Sequence, residues 1–242
     1  MASKVAATSV ELYGRAVGST PTSRFHELVE GDADAFRLDE ACLLIAAHAR
    51  PGLDVGHYLE RLDELAGQFL PPTFDGLLAH LFGPGGFTGN RERYYEPENS
   101  MLDRVLERRT GIPITLSVLA MEVGRRSGVP MWGISMPGHF LVRDKVDPAV
   151  FADPFHGGRL MTALDCRRLY RSLTGNQDWD DSYLRPVPRR AIVTRVLSNL
   201  KTVAAQRNDP GMLLWVMRLR QAIPEVATEE QAEYARLAAR FN

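Results

Sequence analysis

Two cysteines in 242 residues, Cys42 and Cys166, give neither a disulfide framework nor a zinc-ligand pattern, and both suit a reducing cytosol. No run of about 18 apolar residues occurs, so no stretch reads as a membrane-spanning helix. Bulk charge is lacking too: 29 basic against 30 acidic residues leave −1, with no general pull towards nucleic acid or anionic membrane. The opening MASKVAATSVELYGRAVGS has no apolar core long enough for a signal peptide. No H-x-x-x-H or C-x-x-C pair appears, and Gly83-Pro84-Gly85-Gly86 carries a proline and no lysine, unlike a phosphate loop. The expectation is a cytoplasmic globular protein with no cofactor, resident metal, nucleic-acid partner or membrane partner. Nothing in the sequence reports its oligomeric state.

What is present is a 45% hydrophobic chain patterned mostly at helical spacing. Residues 1–22 read as a loosely held tail, and Ser23 as the N-cap of a first helix. Leu38 to Ala49 and Asp54 to Phe69 carry apolar stripes, the second ended by Pro71-Pro72. Phe74 to Leu81 reads as a further helix, and Phe87 to Ser100 as a long ordered loop. Met101 to Arg109 reads as a helix stopped by Gly111 in the left-handed position. Pro113 then opens a strongly apolar helix running to Arg126, closed by Ser127-Gly128. Cys42 lies on the buried face of its helix, where a small core residue is the plain reading and a nucleophile the alternative.

After Val129-Pro130 the period changes to two. Met131 to Met136, His139 to Arg143 and Ala149 to Asp153 read as strands, and Pro154 to Gly158 as a turn-rich exit. A helix returns at Thr162 to Arg171, and Asn176 to Pro188 reads as a connector. Three more helical stretches follow from Arg189. A histidine and an aspartate on neighbouring strands, beside the start of a buried helix, is the layout of a thiol acyl-transfer site. The thiol is absent.

The ordered run N-S-x-L-x-x-V-L-x-R-x-G-I-P-I-x-L-S, G-V-P, P-G-H-F-L-V-R and D-P-F-x-G-G resembles the SirB-type branch of the transglutaminase-like superfamily. That resemblance covers about residues 23 to 224. It implies an α+β fold: a papain-like core with N-terminal helices and a short, tetratricopeptide-like helical appendage. The expected division is a tail at 1–22, the transglutaminase-like domain at 23–185 and the appendage at 186–242. By the same resemblance His139 falls on the superfamily histidine and Asp153 on its aspartate. The superfamily cysteine falls near Pro113 to Thr115, where this chain has Pro113, Ile114 and Thr115.

Each candidate has a structural alternative. Thr115 reads as a cap for a buried helix or as a substitute nucleophile; Ser117 reads as inward-facing or bonded back to its helix. His139 reads as a general base, a ligand contact or a hydrogen-bonded core residue. Asp153 precedes Pro154 and also reads as a turn cap. His156 reads as solvent-exposed, though able to reach the same cleft. With His139 and Asp153 it is a possible divalent-ion ligand, but no metal is assigned. Arg104, Arg108 and Arg109 read as partners of Glu98, Glu107 and Glu122. The leading functional expectation is a protein-interaction or regulatory module with a protein or peptide partner. The competing one is an amide-directed hydrolase or acyltransferase using His139 and Asp153 with a non-cysteine nucleophile.

Overall fold

The computed structural model describes residues 20–67 and 72–238. Most of the expected tail, together with Phe69, Pro71 and Phe241, lies outside the described residues.

The N-terminal layer is helical: α1 (Pro21–Glu30), α2 (Leu38–Ala49), α3 (Val55–Ala66) and α4 (Phe74–Phe82). α1 starts before Ser23 because Thr20 is its cap, accepting the Ser23 N–H at 3.2 Å, and Pro21 pre-sets the first turn. α2 is buried almost all round, from Leu38 to Ala47, Asp39 and Glu40 included. Asp54 caps α3 and Thr73 caps α4.

The expected loop after α4 contains a two-residue strand, β1 (Thr88–Gly89), and a 3₁₀ turn at Pro97–Ser100. α5 (Leu102–Arg108) follows, then β2 (Thr110–Gly111), which pairs in parallel with β1. α5 is terminated by Arg109 in the left-handed region (φ 52°), not by Gly111.

α6 (Pro113–Ser127) runs through the middle of the molecule, with Pro113 to Ala120 buried. Against it stands an antiparallel sheet in the order β3 (Met131–Ile134), β4 (Leu141–Asp144), β5 (Phe151–Asp153) and β6 (Arg159–Met161). Side chains alternate across this sheet as a two-residue period requires. Phe140, Val142 and Ala152 join the large core shared with α6. Ile134, Leu141, Phe151 and Met161 join a second cluster with Cys166 and Tyr170 of α7 (Ala163–Thr174). The chain is thus α+β, with the sheet between α6 and α7.

Three helices complete the chain: α8 (Arg189–Gln206), α9 (Pro210–Arg220) and α10 (Ala227–Ala238). Ile192, Val193, Val196 and Leu197 of α8 belong to the same core as the N-terminal helices. No helix among the described residues is long and apolar enough to cross a membrane.

Charged groups pair between elements. Arg104 meets Glu98 and Glu107, and Arg108 meets Glu96 and Glu98. Arg109 departs from the expectation, donating to the Gly85 carbonyl. Glu122 also departs from it: its partners are Arg125 and Arg126, one turn along its own helix.

Candidate functional site

His139 does not lie within a strand. It leaves the Pro137-Gly138 turn, with its N–H bonded to the Met136 carbonyl at 3.0 Å, two residues before β4 begins. The β4–β5 register pairs Val142 with Ala152, so His139 and Asp153 become diagonal neighbours at the sheet's end. His139 Nε2 lies 2.9 Å from Asp153 Oδ2, and both side chains are buried.

Asp153 serves as a turn cap and as a histidine partner at once. Its Oδ1 accepts the backbone N–H groups of Phe155 (3.1 Å) and His156 (3.3 Å), which open the 3₁₀ turn Pro154–His156. Its Oδ2 faces His139 and also His156 Nδ1, at 2.6 Å. Burial opposes the Asp153 charge. The hydrogen bond and charge of His139, followed by those of His156, nevertheless hold the carboxyl below its usual range. His156 is therefore half-buried at the site, its turn folded back on the aspartate.

Two neutral imidazoles donating to one carboxylate must carry their protons on the Asp-facing nitrogens. That leaves the lone pair of His139 on Nδ1, the nitrogen that would act as a base. The three ligand atoms of His139, Asp153 and His156 lie within 4.8 Å of one another, close enough to hold a divalent ion. Ligation and the hydrogen-bonded arrangement exclude each other, because a ligating nitrogen presents its lone pair.

The 88–100 segment covers this site. A Cβ on Gly89 would stand 2.5 Å from both the ring and the carbonyl of Phe155, so only glycine allows β1 to approach so closely. Phe155 in turn packs edge-on to His139 at 6.0 Å and to Tyr94 at 6.1 Å. Arg195 of α8 holds the turn before His139, donating to Ser135 Oγ (2.6 Å) and the Met136 carbonyl (3.0 Å). Its role was invisible at sequence level, because Arg195 lies more than fifty residues further along the chain.

Thr115 stands where the resemblance puts a cysteine, at the third position of α6. Its hydroxyl donates to the Asn99 carbonyl at 2.7 Å and accepts the Ile112 N–H at 3.2 Å. Ser117 faces inward, fully buried, with no hydrogen-bond partner for its Oγ and no bond back to its helix. Among the described residues no hydroxyl or thiol hydrogen-bonds the His139 ring. Cys42 is buried in α2 and Cys166 in α7. Burial, then the charges of Glu122 and Asp39, push the Cys42 thiol up. Burial, then Asp165 and Asp153, push Cys166 up to about 12. Neither supplies thiolate at neutral pH. Ellman's reagent is accordingly expected to detect no thiol in the native protein and both in guanidinium. A rapidly reacting native thiol would contradict this burial.

The sequence profile of the transglutaminase-like superfamily matches residues 56–198. A UPF0162 protein of Xylella fastidiosa strain 9a5c is 38% identical over 76% of this chain and 70% of its own length. A UPF0162 protein of Pseudomonas aeruginosa is 34% identical over 72% of this chain and 67% of its own. Human F-box only protein 21 is 38% identical over 44% of this chain, a match spanning 18% of that protein. No solved structure gives a significant match.

Proposed function

The chain belongs to the transglutaminase-like superfamily, and we propose that it binds rather than reacts, as a protein-interaction or regulatory module with a peptide-sized cleft. The observation that carries this reading is the Thr115 hydroxyl. It is tied between the Asn99 carbonyl and the Ile112 N–H at the start of α6, so His139 has no nucleophile to activate. The relative named F-box only protein 21 supports it, because the matching region is a small part of a much longer chain. Within the superfamily we assign the chain to the SirB-type branch and read residues 186–242 as a tetratricopeptide-like tail. Three successive helices fit that reading. We place the protein in the cytoplasm, where two free, buried cysteines are at home.

A second reading rests on the His139–Asp153 pair. A buried carboxylate fixing an imidazole tautomer is what general-base activation of water requires. The two readings separate on turnover. Amine incorporation into a glutamine peptide and hydrolysis of a fluorogenic amide are expected to be equal for wild type and His139→Gln, at the buffer rate. Turnover in the wild type that falls by about a hundredfold or more in His139→Gln, the scale of general-base catalysis, would install the hydrolase or acyltransferase reading.

A further inference from the structure

Outside the buried His139–Asp153 contact, a cleft of about 560 Å³ opens between the 88–100 segment, β6 and α7. Asp153 and His156 form its floor. Arg91, Arg159 and Arg168 stand around it, each from a different element. The acids in the same cleft are already engaged. Asp153 takes four hydrogen bonds from His139, Phe155 and His156. Asp165 accepts the Thr162 N–H and hydroxyl at 3.0 and 2.7 Å, and meets Arg168 at 3.5 Å.

Arg91 and Arg159 have no hydrogen-bond or ion-pair partner for their guanidinium groups among the described residues. Elsewhere arginines such as Arg24, Arg104, Arg108 and Arg190 all find a carboxylate. Two guanidinium groups without carboxylates, facing one cleft beside a third, make a site for carboxylates brought from outside.

The surroundings say what carries those carboxylates. β6 is the edge of the four-stranded sheet, where an extended segment can lie alongside. Leu160 on β6 and Leu164 and Leu173 on α7 are about half exposed (50%, 55% and 48%), although apolar residues of this size are otherwise mostly buried here. A small free anion would make no use of such leucines. An extended chain alternating acidic and apolar side chains would use both features.

We propose that this cleft binds an acidic, leucine-containing segment of a partner protein, its carboxylates seated between Arg91 and Arg159. The proposal rests on reading the site as a peptide cleft and adds the chemistry of the peptide. Fluorescence anisotropy on the full chain tests it. The probes are a labelled peptide rich in Glu and Leu and its Gln analogue of equal length. The acidic peptide is expected to bind at least about tenfold tighter, the least that a charge-assisted contact contributes. Arg91→Gln combined with Arg159→Gln should reduce it to the level of the Gln peptide. These side chains have no partners to lose, so the double variant should melt with the wild type. Inorganic phosphate at equal ionic strength should displace the acidic peptide no better than chloride.

Equal binding of the two peptides would overturn the acidic assignment while leaving the peptide cleft standing. Displacement by phosphate beyond its ionic strength would make this a small-anion site and overturn the proposal. Binding of neither peptide would overturn the proposal and the peptide-cleft reading together, without bearing on turnover.

Discussion

Arg126→Met is expected to lower stability at neutral pH by about 3–5 kcal/mol, read as a fall in the urea midpoint at unchanged m-value. The Arg126 guanidinium ties three helices together. It meets the buried Asp39 of α2, Asp63 of α3 at 2.6 Å, and Glu122 of its own helix at 3.1 Å. Methionine fills much of the space but leaves Asp39 and Glu122 as buried carboxylates short of a cation. Arg37 still reaches Asp39, and Arg125 still reaches Glu122, so the loss falls short of that of a fully isolated charge. Arg126→Lys keeps the charge without the planar fork and should fall between the two.

Acid should narrow the gap between wild type and Arg126→Met. In the wild type, burial opposes the charge of Asp39, but Arg37 and Arg126 outweigh it and hold the carboxyl at about 2. A lowered carboxyl contributes stability that is present above its ordinary value near 3.8 and lost as pH falls through about 2. Glu122 goes the other way, because burial and then the Asp39 charge raise it. Its contribution is present below its ordinary 4.5 and lost as pH rises through its folded value. Removing Arg126 raises both, so protonation relieves the variant at pH values where the wild type is still ionised. A gap that widens between pH 7 and about 4 would show that Arg126 does not neutralise these carboxylates.

The same residues show where the sequence was legible. α2, α3, α4 and α6 were readable because a helical stripe and a cap agree within one stretch: Asp54, Thr73 and Pro113 each mark a start. Position 111 misled for a physical reason. Glycine there supplies space rather than a left-handed turn, since a Cβ would stand 2.9 Å from Thr115 Oγ1 and 3.1 Å from Val105. The turn itself fell to Arg109. β1 and β2 are two residues each, too short for any period to register, and β6 is hidden in a glycine-rich exit.

At the site, the sequence placed His139 and Asp153 on neighbouring strands, and the β4–β5 register brings them together. It gave no sign that a 3₁₀ turn would fold His156 back on the same oxygen, because that needs the Asp153 cap geometry. Nor could local pattern show Arg195 reaching the turn before His139.

Asp153 carries the other large effect, and two substitutions there separate its duties. Asp153→Ala leaves four donors without their acceptor: both imidazole N–H groups and the N–H groups of Phe155 and His156. Unmet buried donors cost about 1–3 kcal/mol each, but His156 is one-third exposed and can be hydrated, so a total near 3 kcal/mol is expected. Asp153→Asn keeps an oxygen for the two backbone groups and turns an N–H₂ donor towards both rings. His139 must then move its proton to Nδ1, where no acceptor meets it among the described residues. The expected loss is about 1 kcal/mol, with the tautomer change visible in the ring ¹⁵N shifts. The wild-type carboxyl lies below its ordinary 3.8, so its stabilisation is present above that value and lost as pH falls through the folded one. An amide has the charge of a protonated carboxyl. Urea midpoints of wild type and Asp153→Asn should therefore converge in acid, while Asp153→Ala stays below both. If Asp153→Ala instead matches Asp153→Asn at every pH, the cap on the Pro154–His156 turn contributes nothing, and Asp153 serves the histidines alone.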